Sequence, residues 1–280
     1  MNSIDSARNR DDLINEILLT LNESPETVAL LVEGSDDVEF FQTVFEDFSH
    51  IAYFESLSGC EELVELLSEP DLQSGRVVAV RDRDYTDPAK YPYRLFAYDD
   101  CAMELMILHN PDIQKVLKRC YTRNKNGFPL DMMRTIASFS VLRKKNASDK
   151  KLEIAFQKRD KNGKGGISIL VGANPVPDIN RVFQLYEAHY PDKMSGQYAL
   201  CQAEADALSD DDLWYITNGH DICRVLGNVS QLNPSKSLGE NAYRRLMIVT
   251  YDFQYFQGTD LYRKLSEYRL SDGRRPFAAS

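Results

Sequence analysis

The sequence predicts an α/β fold in which a parallel sheet is flanked by helices and followed by a mainly helical C-terminal part. Short apolar runs alternate with segments of helical periodicity over the first 115 residues, as in βαβ units with right-handed crossovers. The runs are apolar at consecutive positions, which is typical of strands buried on both faces of a parallel sheet. We expect three parts: an N-terminal helix over 1–23, a core over 24–115 and a mainly helical, basic region over 116–280.

The first strand–helix unit follows the N-terminal helix. The run from Thr27 to Val32 is β-branched and leucine-rich without alternation, which predicts a buried strand. The strand ends at Glu33-Gly34, and Ser35 or Asp36 is expected to cap the next segment. Apolar residues then recur at helical spacing from Val38 to Phe48, which predicts an amphipathic helix.

The same plan continues along the chain. A strand is predicted over 51–54 and a helix over 60–67, closed by Pro70. Further strands are predicted over 76–81 and 93–98, and a helix over 100–109 ends before Pro111. Beyond residue 112, apolar periodicity predicts helices over 129–145, 178–190, 197–208, 219–227 and 239–256.

Length and composition exclude several classes of protein. With 280 residues, of which 43% are hydrophobic, the chain can bury an ample core, so disorder is excluded. The longest apolar runs fall well short of the roughly 18 residues that a membrane span needs, and no signal peptide opens the sequence. The five cysteines share no close spacing, which argues against a disulfide framework or a zinc site. We therefore expect a cytoplasmic protein without a membrane partner.

Charge is distributed unevenly along the chain. Residues 1–115 carry 25 acidic and 8 basic side chains, whereas residues 116–280 carry 18 acidic and 25 basic ones. Within 118–164 there are 14 basic residues against 4 acidic ones, enough to contact several phosphates of a nucleic acid. The alternative is a solvated helix face with a charged loop. The candidate nucleic-acid-binding residues are Arg143, Lys144, Lys145, Lys150, Lys151, Lys158 and Arg159.

Carboxylates follow two of the predicted strands where each strand ends. Glu33 and Asp37 follow the first strand, and Asp82 and Asp84 follow the third. Because the carboxyl ends of parallel strands meet at one edge of a sheet, these acids are expected to gather there. Carboxylates so close together repel one another, which either raises their pKa values or calls for a hard cation with oxygen ligands, such as Mg²⁺ or Mn²⁺. A fifth acid, Glu104, lies on a mostly apolar helix and is either a further metal ligand or part of a surface-facing turn.

The order of these motifs resembles the Toprim fold of topoisomerases, primases and overcoming-lysogenization-defect (OLD) nucleases. The two motifs are Leu30 to Asp37 (LLVEGSDD) and Val77 to Asp84 (VVAVRDRD). The segment from Tyr98 to Leu108 (YDDCAMELMIL) is similar to the Glu-bearing helix of a narrower family of stand-alone Toprim-like effectors. Some members of that family are the nuclease partners of ABC-type ATPases in bacterial anti-phage defence. A weaker similarity to the late Gly-(Lys or His)-Asp helix of these relatives begins at Trp214 (WYITNGHDICRVL).

The resemblance implies roles for individual residues. Glu33, Asp82 and Asp84 match the metal-holding acids of Toprim enzymes, and Asp37 matches the additional acid of the OLD-type nucleases. Glu104 would be a ligand of a second metal ion. His220 would protonate a leaving group or contact a phosphate, unless it is only a neighbour of a helix N-cap. The catalytic candidates are Glu33, Asp82, Asp84 and His220, and the metal candidates are Glu33, Asp37, Asp82, Asp84 and Glu104.

The implied function is Mg²⁺-dependent hydrolysis of phosphodiester bonds in RNA, such as tRNA, or in DNA. The implied partners are an ABC-type ATPase, which restrains or activates a toxic effector, and a second copy of the chain in a homodimer. The aromatic stretch from Tyr251 to Phe256 would supply an apolar face for that dimer, or it belongs to the core.

Two other functions remain open from the sequence. The run from Asp82 to Thr86 fits the Asp-x-Asp-x-Thr motif of haloacid-dehalogenase-like phosphatases, in which the first Asp is the nucleophile. That motif normally ends the first strand of its domain, whereas here it ends the third. The second alternative is a non-catalytic Toprim-derived adaptor that binds an ATPase partner, although every acid of the motif is present.

Overall fold

The computed structural model describes residues 9–57, 59–87, 91–120, 125–148, 152–156, 178–229 and 240–279. The chain divides into two compact units. The sheet unit comprises Met1–Asp99 and Tyr251–Ser280, and the helical unit comprises Asp100–Thr250. The predicted boundaries were at residues 24 and 116. In the structure the first break follows Asp99, and the last segment of the chain belongs to the sheet unit.

The α/β class predicted from the sequence is confirmed. Four parallel strands form one sheet: β1 (Val28–Val32), β2 (Ile51–Glu55), β3 (Val77–Arg81) and β4 (Leu95–Ala97), in the order β2-β1-β3-β4. All five residues of β1 and of β3 are buried, as their unbroken apolar runs predict.

Helices follow the strands and then make up the described part of the helical unit. In chain order they are α1 (Arg10–Glu23), α2 (Ser35–Val44), α3 (Cys60–Ser68), α4 (Met103–Leu108), α5 (Pro111–Cys120), α6 (Leu130–Ser148), α7 (Ile179–His189), α8 (Pro191–Met194), α9 (Gln197–Asp206), α10 (Asp210–Ile216), α11 (Gly219–Val229), α12 (Glu240–Thr250), α13 (Phe253–Phe256) and α14 (Asp260–Glu267).

One side of the sheet packs against α1 and α3. Because side chains alternate along a strand, Ala29 and Leu31 of β1 point to this side together with Val77 and Ala79 of β3. The apolar stripes of the two helices cover them, which places the predicted N-terminal helix on the core of its own chain. The helix residues in this cluster are Leu13, Ile17, Leu21, Leu63, Leu66 and Leu67.

An aromatic cluster around α2 forms a second part of the core. Phe40 is fully buried, and its ring centroid lies 5.7 Å from that of Tyr251 and 5.7 Å from that of Phe256. These contacts attach the C-terminal segment to the sheet unit, whereas the sequence assigned it to the helical region over 116–280. They also show that Tyr251 and Phe256 belong to the core and do not offer an apolar face for a dimer.

The described part of the helical unit is built around helices α4 and α6. All six residues of α4 are buried, and α4 packs against α11 and α12. Helix α6 packs against α9 and α10. The single helix predicted over 239–256 is interrupted, since α12 ends at Thr250 and α13 begins at Phe253. Nowhere in the described ranges is a helix long and apolar enough to cross a membrane.

Candidate metal centre

The sheet brings Glu33 and Asp82 together. Strands β1 and β3 are adjacent and parallel, with Leu31 paired with Ala79, so the chain leaves both strands at the same edge. There the backbone N–H of Asp82 donates a hydrogen bond of 3.0 Å to Oε1 of Glu33. The backbone of Asp82 and the side chain of Glu33 therefore meet at this edge of the sheet.

Asp37 is held by the start of α2 and by a tyrosine. The N-cap of α2 is Gly34, and not Ser35 or Asp36 as expected from the sequence. The Gly34 N–H donates to Oδ2 of Asp37 at 3.1 Å, which leaves the side chain of Asp37 folded back over the helix start. The hydroxyl of Tyr98 donates to Oδ1 of Asp37 at 2.6 Å. Both oxygens of Asp37 are thus oriented by the protein.

Asp84 and Arg81 complete this cluster of side chains. Asp84 has a positive φ of 47°, a conformation that Asp tolerates better than most residues. Its Oδ2 lies 3.5 Å from NH2 of Arg81, whose Nε lies 3.9 Å from Oε1 of Glu33. Arg81 also donates from Nε to the Asp82 carbonyl oxygen at 2.9 Å. We refer to the four carboxylates at this edge of the sheet, Glu33, Asp37, Asp82 and Asp84, as the acidic rim.

The charge balance of the acidic rim is unfavourable. Burial, followed by the charges of Asp84 and Asp37, raises the pKa of Glu33 to about 7, although Arg81 and the Asp82 N–H act in the opposite direction. Burial and the charge of Asp37 likewise hold the pKa of Tyr98 well above its usual range. Carboxylates in this situation are stabilised either by a proton or by a cation.

The chemistry of the acidic rim fits a hard divalent cation. Carboxylate oxygens are the ligands that Mg²⁺ and Mn²⁺ prefer in proteins. Among the residues that the structure describes, no three His, Cys, Asp or Glu side chains converge closely enough to hold a metal ion by themselves. Mg²⁺ usually retains several water ligands and is bound by one or two carboxylates, so a fully converged cage is not required.

Glu104 lies in a different environment from the acidic rim. It belongs to the helical unit, it is only 3% exposed, and it accepts a hydrogen bond of 2.9 Å from Nε of Arg244. Arg244 also donates to Nδ1 of His220, a residue near the start of α11 whose side chain is exposed. A guanidinium group can only donate, so Nδ1 of His220 accepts and the proton of the neutral ring lies on Nε2. The structure therefore groups Glu104 with Arg244 and His220, and a role for Glu104 as a metal ligand stays a prediction.

Arg143, a predicted nucleic-acid contact, is part of a buried ion pair. It donates to both oxygens of Asp221, at 2.5 Å from Nε and 2.9 Å from NH2, and Asp221 is fully buried. The rings of Phe139 and Phe156 lie 5.1 Å and 4.7 Å from its guanidinium carbon. Arg224 also contacts Asp221, at 3.2 Å. The bidentate contact of Arg143 joins α6 to α11, so the geometry indicates a structural role for Arg143.

The other predicted basic residues fall into two groups. Lys145 forms an ion pair with Glu204 at 3.1 Å, and Lys144 is exposed on α6. The remaining four candidates lie outside the described residues: Lys150, Lys151, Lys158 and Arg159.

Three contributing residues were not singled out from the sequence. Tyr98 and Arg81 orient or balance the acidic rim, and Arg244 pairs with Glu104. The positions of Tyr98 and Arg81 at strand ends are a usable signal, because β4 and β3 end there. Arg244 carries no local signal, since its partner is 140 residues away in the chain.

No protein-family model matches this chain, and no curated protein matches it either.

Proposed function

We propose that this protein is a nuclease that depends on a divalent cation, Mg²⁺ or Mn²⁺, and hydrolyses phosphodiester bonds in nucleic acid at the acidic rim. One observation carries the proposal: Glu33 and Asp82, which end adjacent parallel strands, are joined by a hydrogen bond at the edge where Asp37 and Asp84 also lie. Open parallel sheets bind their ligands at this edge. The polymer is RNA, such as tRNA, or DNA.

The residues of the chain have distinct tasks in this proposal. Asp82 fixes the carboxylate of Glu33 through its backbone N–H, and Tyr98 fixes that of Asp37. Arg81 keeps a guanidinium group near Glu33 and Asp84, where it limits their repulsion. A cation bound by these oxygens would activate water and stabilise charge on the phosphate. The role that the sequence motif implies for His220 would be a contact from its Nε2–H to a phosphate, because Nδ1 accepts from Arg244 and cannot carry the second proton that a general acid needs.

The biological setting is proposed from the motifs alone. Leu30 to Asp37, Val77 to Asp84 and Tyr98 to Leu108 resemble the AriB effector of the PARIS anti-phage defence system. On that basis we propose a cytoplasmic toxic effector that is restrained or activated by an ABC-type ATPase and acts as a homodimer.

The proposal is tested by incubating the protein with total RNA and with plasmid DNA in Mg²⁺, in Mn²⁺ and in EDTA. Glu33→Ala and Asp82→Ala should abolish cleavage, whereas Glu46→Ala, which removes an exposed acid of the sheet unit, should not. Variants at Glu33 and Asp82 that cleave as well as the parent would contradict the proposal. Turnover of small phosphomonoesters without cleavage of nucleic acid would instead favour the phosphatase, with Asp82 as nucleophile. Binding of an ATPase without hydrolysis of either substrate would favour the adaptor.

A further inference from the structure

Arg81 places a positive charge next to the acidic rim. Its guanidinium faces two of the acids, with Nε 3.9 Å from Oε1 of Glu33 and NH2 3.5 Å from Oδ2 of Asp84. The side chain of Arg81 is only 10% exposed, whereas those of Glu33 and Asp84 are 22% and 36% exposed. The charge of Arg81 is therefore screened by salt less than the charges that it faces.

Contacts with groups other than the carboxylates hold Arg81 in this position. Its Nε donates to the Asp82 carbonyl oxygen at 2.9 Å, which joins the guanidinium to the loop that carries Asp82 and Asp84. Its guanidinium carbon lies 5.4 Å from the centre of the Tyr91 ring, a distance at which an aromatic ring stabilises a cation. Tyr91 is fixed in turn, because its hydroxyl donates to the Arg83 carbonyl oxygen at 3.3 Å. These contacts would keep the charge of Arg81 at the rim when the carboxylates bind another partner.

The contacts of Arg81 leave room for a metal ion at the same carboxylates. A hydrogen bond from a guanidinium to a carboxylate is about 2.7–2.9 Å long, and the contacts of Arg81 with Glu33 and Asp84 are both longer than that. Arg81 thus balances the charge of these two acids without a close hydrogen bond to either of them. Because Mg²⁺–oxygen bonds are about 2.1 Å long, an ion bound to either of the facing oxygens would lie within about 6 Å of a guanidinium nitrogen.

Arg83, the other arginine at this edge of the sheet, is directed towards the backbone. Its NH1 donates to the Asp99 carbonyl oxygen at 3.2 Å. Burial and the charges of Asp84 and Asp37 raise the pKa of Glu33, and the charge of Arg81 acts in the opposite direction. The positive charge that acts on Glu33 is therefore that of Arg81.

Arg81 lowers the attraction that the rim offers to a second divalent ion. Four ionised carboxylates and one guanidinium carry a net charge of −3, which a first divalent ion reduces to −1. A second ion would bring the charge to +1, and in two-metal sites it would lie only about 3.5–4 Å from the first. At such distances the repulsion from the first ion and from Arg81 is strong. Without Arg81, two divalent ions would leave the four carboxylates neutral.

We propose that Arg81 takes the place of a second metal ion, so that the acidic rim binds one divalent cation and not two. The inference rests on the proposed function for the assignment of the rim as a metal centre. It gives Arg81 a role in setting the number of bound ions, in addition to limiting the repulsion between Glu33 and Asp84.

The test counts the Mn²⁺ ions bound per chain at saturation, by equilibrium dialysis of the full chain without nucleic acid. The parent should bind one ion, which Glu33→Gln should lose. Arg81→Gln and Arg81→Met each remove the charge and should bind two ions, with the exchange-coupled electron paramagnetic resonance spectrum of ions about 3.5–4 Å apart. Arg81→Lys keeps the charge and should bind one. Arg269→Gln, which removes an exposed arginine of the sheet unit, is the matched control and should also bind one.

The outcomes separate this inference from the proposed function. Each count is repeated together with Glu104→Gln, so that an ion held by Glu104 is not assigned to the rim. Two ions in the parent on that background would overturn the inference and leave the metal centre standing. One ion in a folded Arg81→Gln or Arg81→Met protein would do the same, because Arg81 would then not set the number. A parent that binds no Mn²⁺ would contradict the metal centre itself, and both proposals with it.

Discussion

At the scale of single residues, Glu33 is the carboxylate whose charge the fold opposes most clearly. Burial and the charges of Asp84 and Asp37 disfavour its ionised form. The substitution Glu33→Gln removes that charge and keeps the shape of the side chain. We therefore expect Glu33→Gln to raise the free energy of unfolding by ~1–3 kcal/mol at pH 8 in EDTA, while nuclease activity is lost. Urea denaturation of both proteins provides the measurement.

The pH dependence of that difference follows from the raised pKa. In the folded protein the pKa of Glu33 is about 7, against a usual value of 4.5. Protonated Glu33 therefore contributes stability that is fully present below pH 4.5 and is lost as pH rises through about 7. The stability difference between Glu33→Gln and the parent should accordingly be small at low pH and grow up to about pH 7. A difference that does not change with pH in EDTA would show that Glu33 is not destabilised by its surroundings.

Tyr98 orients an acid of the rim through one hydroxyl group. The substitution Tyr98→Phe removes the hydrogen bond to Asp37 and nothing else. A hydrogen bond to a charged group contributes ~1.5–3 kcal/mol to stability. We therefore expect Tyr98→Phe to lower the free energy of unfolding by that amount and to bind Mn²⁺ more weakly. Tyr186→Phe is the control, because it removes the hydroxyl that donates to the Phe156 carbonyl in the helical unit. It should lower stability without affecting Mn²⁺ binding, and equal effects of the two variants on Mn²⁺ would contradict the assignment.

Arg143 and Lys144 are neighbours on α6 with different expected behaviour. Arg143→Ala leaves the fully buried carboxylate of Asp221 without its bidentate partner. Asp221 keeps Arg224 as a partner at 3.2 Å, so the loss is that of hydrogen bonds to a buried charge, ~1.5–3 kcal/mol, and the midpoint of urea denaturation should fall. Lys144→Ala should leave it nearly unchanged, since that side chain is exposed. If Arg143→Ala unfolded like the parent and lost only affinity for nucleic acid, the binding role predicted from the sequence would be correct.

At the scale of elements, the sequence predicts those whose patterns are local. Strands β1 and β3 are unbroken apolar runs and are predicted within one residue at each end. Helix α2 is predicted from its apolar spacing, but that spacing extends to Phe48 whereas the helix ends at Val44. The short helices α8 and α10 are not predicted, because a few residues carry too little periodicity. The N-cap predicted for α2 is also wrong. The Asp37 side chain accepts a hydrogen bond from the Gly34 N–H, and Gly34 is the N-cap of the helix.

The contact between α11 and α4 is sensitive to one atom. A Cβ at Gly219 would lie 2.1 Å from Oε2 of Glu104, which is buried and paired with Arg244 and so cannot easily move. Gly219→Ala should destabilise the protein by ~1–3 kcal/mol. At Gly34 the nearest atom to a Cβ is Oδ2 of Asp37 at 3.7 Å, so Gly34→Ala should unfold like the parent. Equal denaturation midpoints for the two alanine variants would show that the packing at Gly219 is not restrictive.

At the scale of the whole molecule, the acidic rim could be predicted because parallel strands end at a common edge. Local sequence was enough to locate Glu33, Asp37, Asp82 and Asp84. Local sequence could not predict the pairing of Glu104 with Arg244, which lies 140 residues away in the chain. The same holds for the pairing of Arg143 with Asp221, 78 residues away. The segment after residue 251 was not assigned to the sheet unit for the same reason, because its aromatic contacts, such as that of Tyr251 with Phe40, join residues far apart in the sequence. A structural role of a charged residue therefore could not be predicted where its partner lies far away in the chain.

The most direct measurement of the central claim is Mn²⁺ binding, followed by electron paramagnetic resonance, in the parent protein, in Glu33→Gln and in Glu104→Gln. If the acidic rim is the metal centre, the parent binds Mn²⁺, excess Mg²⁺ displaces it, and Glu33→Gln loses the binding. Glu104→Gln alters the carboxylate paired with Arg244 and no acid of the rim, so Mn²⁺ binding at the rim should remain. Loss of a second bound Mn²⁺ in Glu104→Gln would support the separate ligand role predicted for Glu104. Unchanged Mn²⁺ binding in Glu33→Gln would contradict the account.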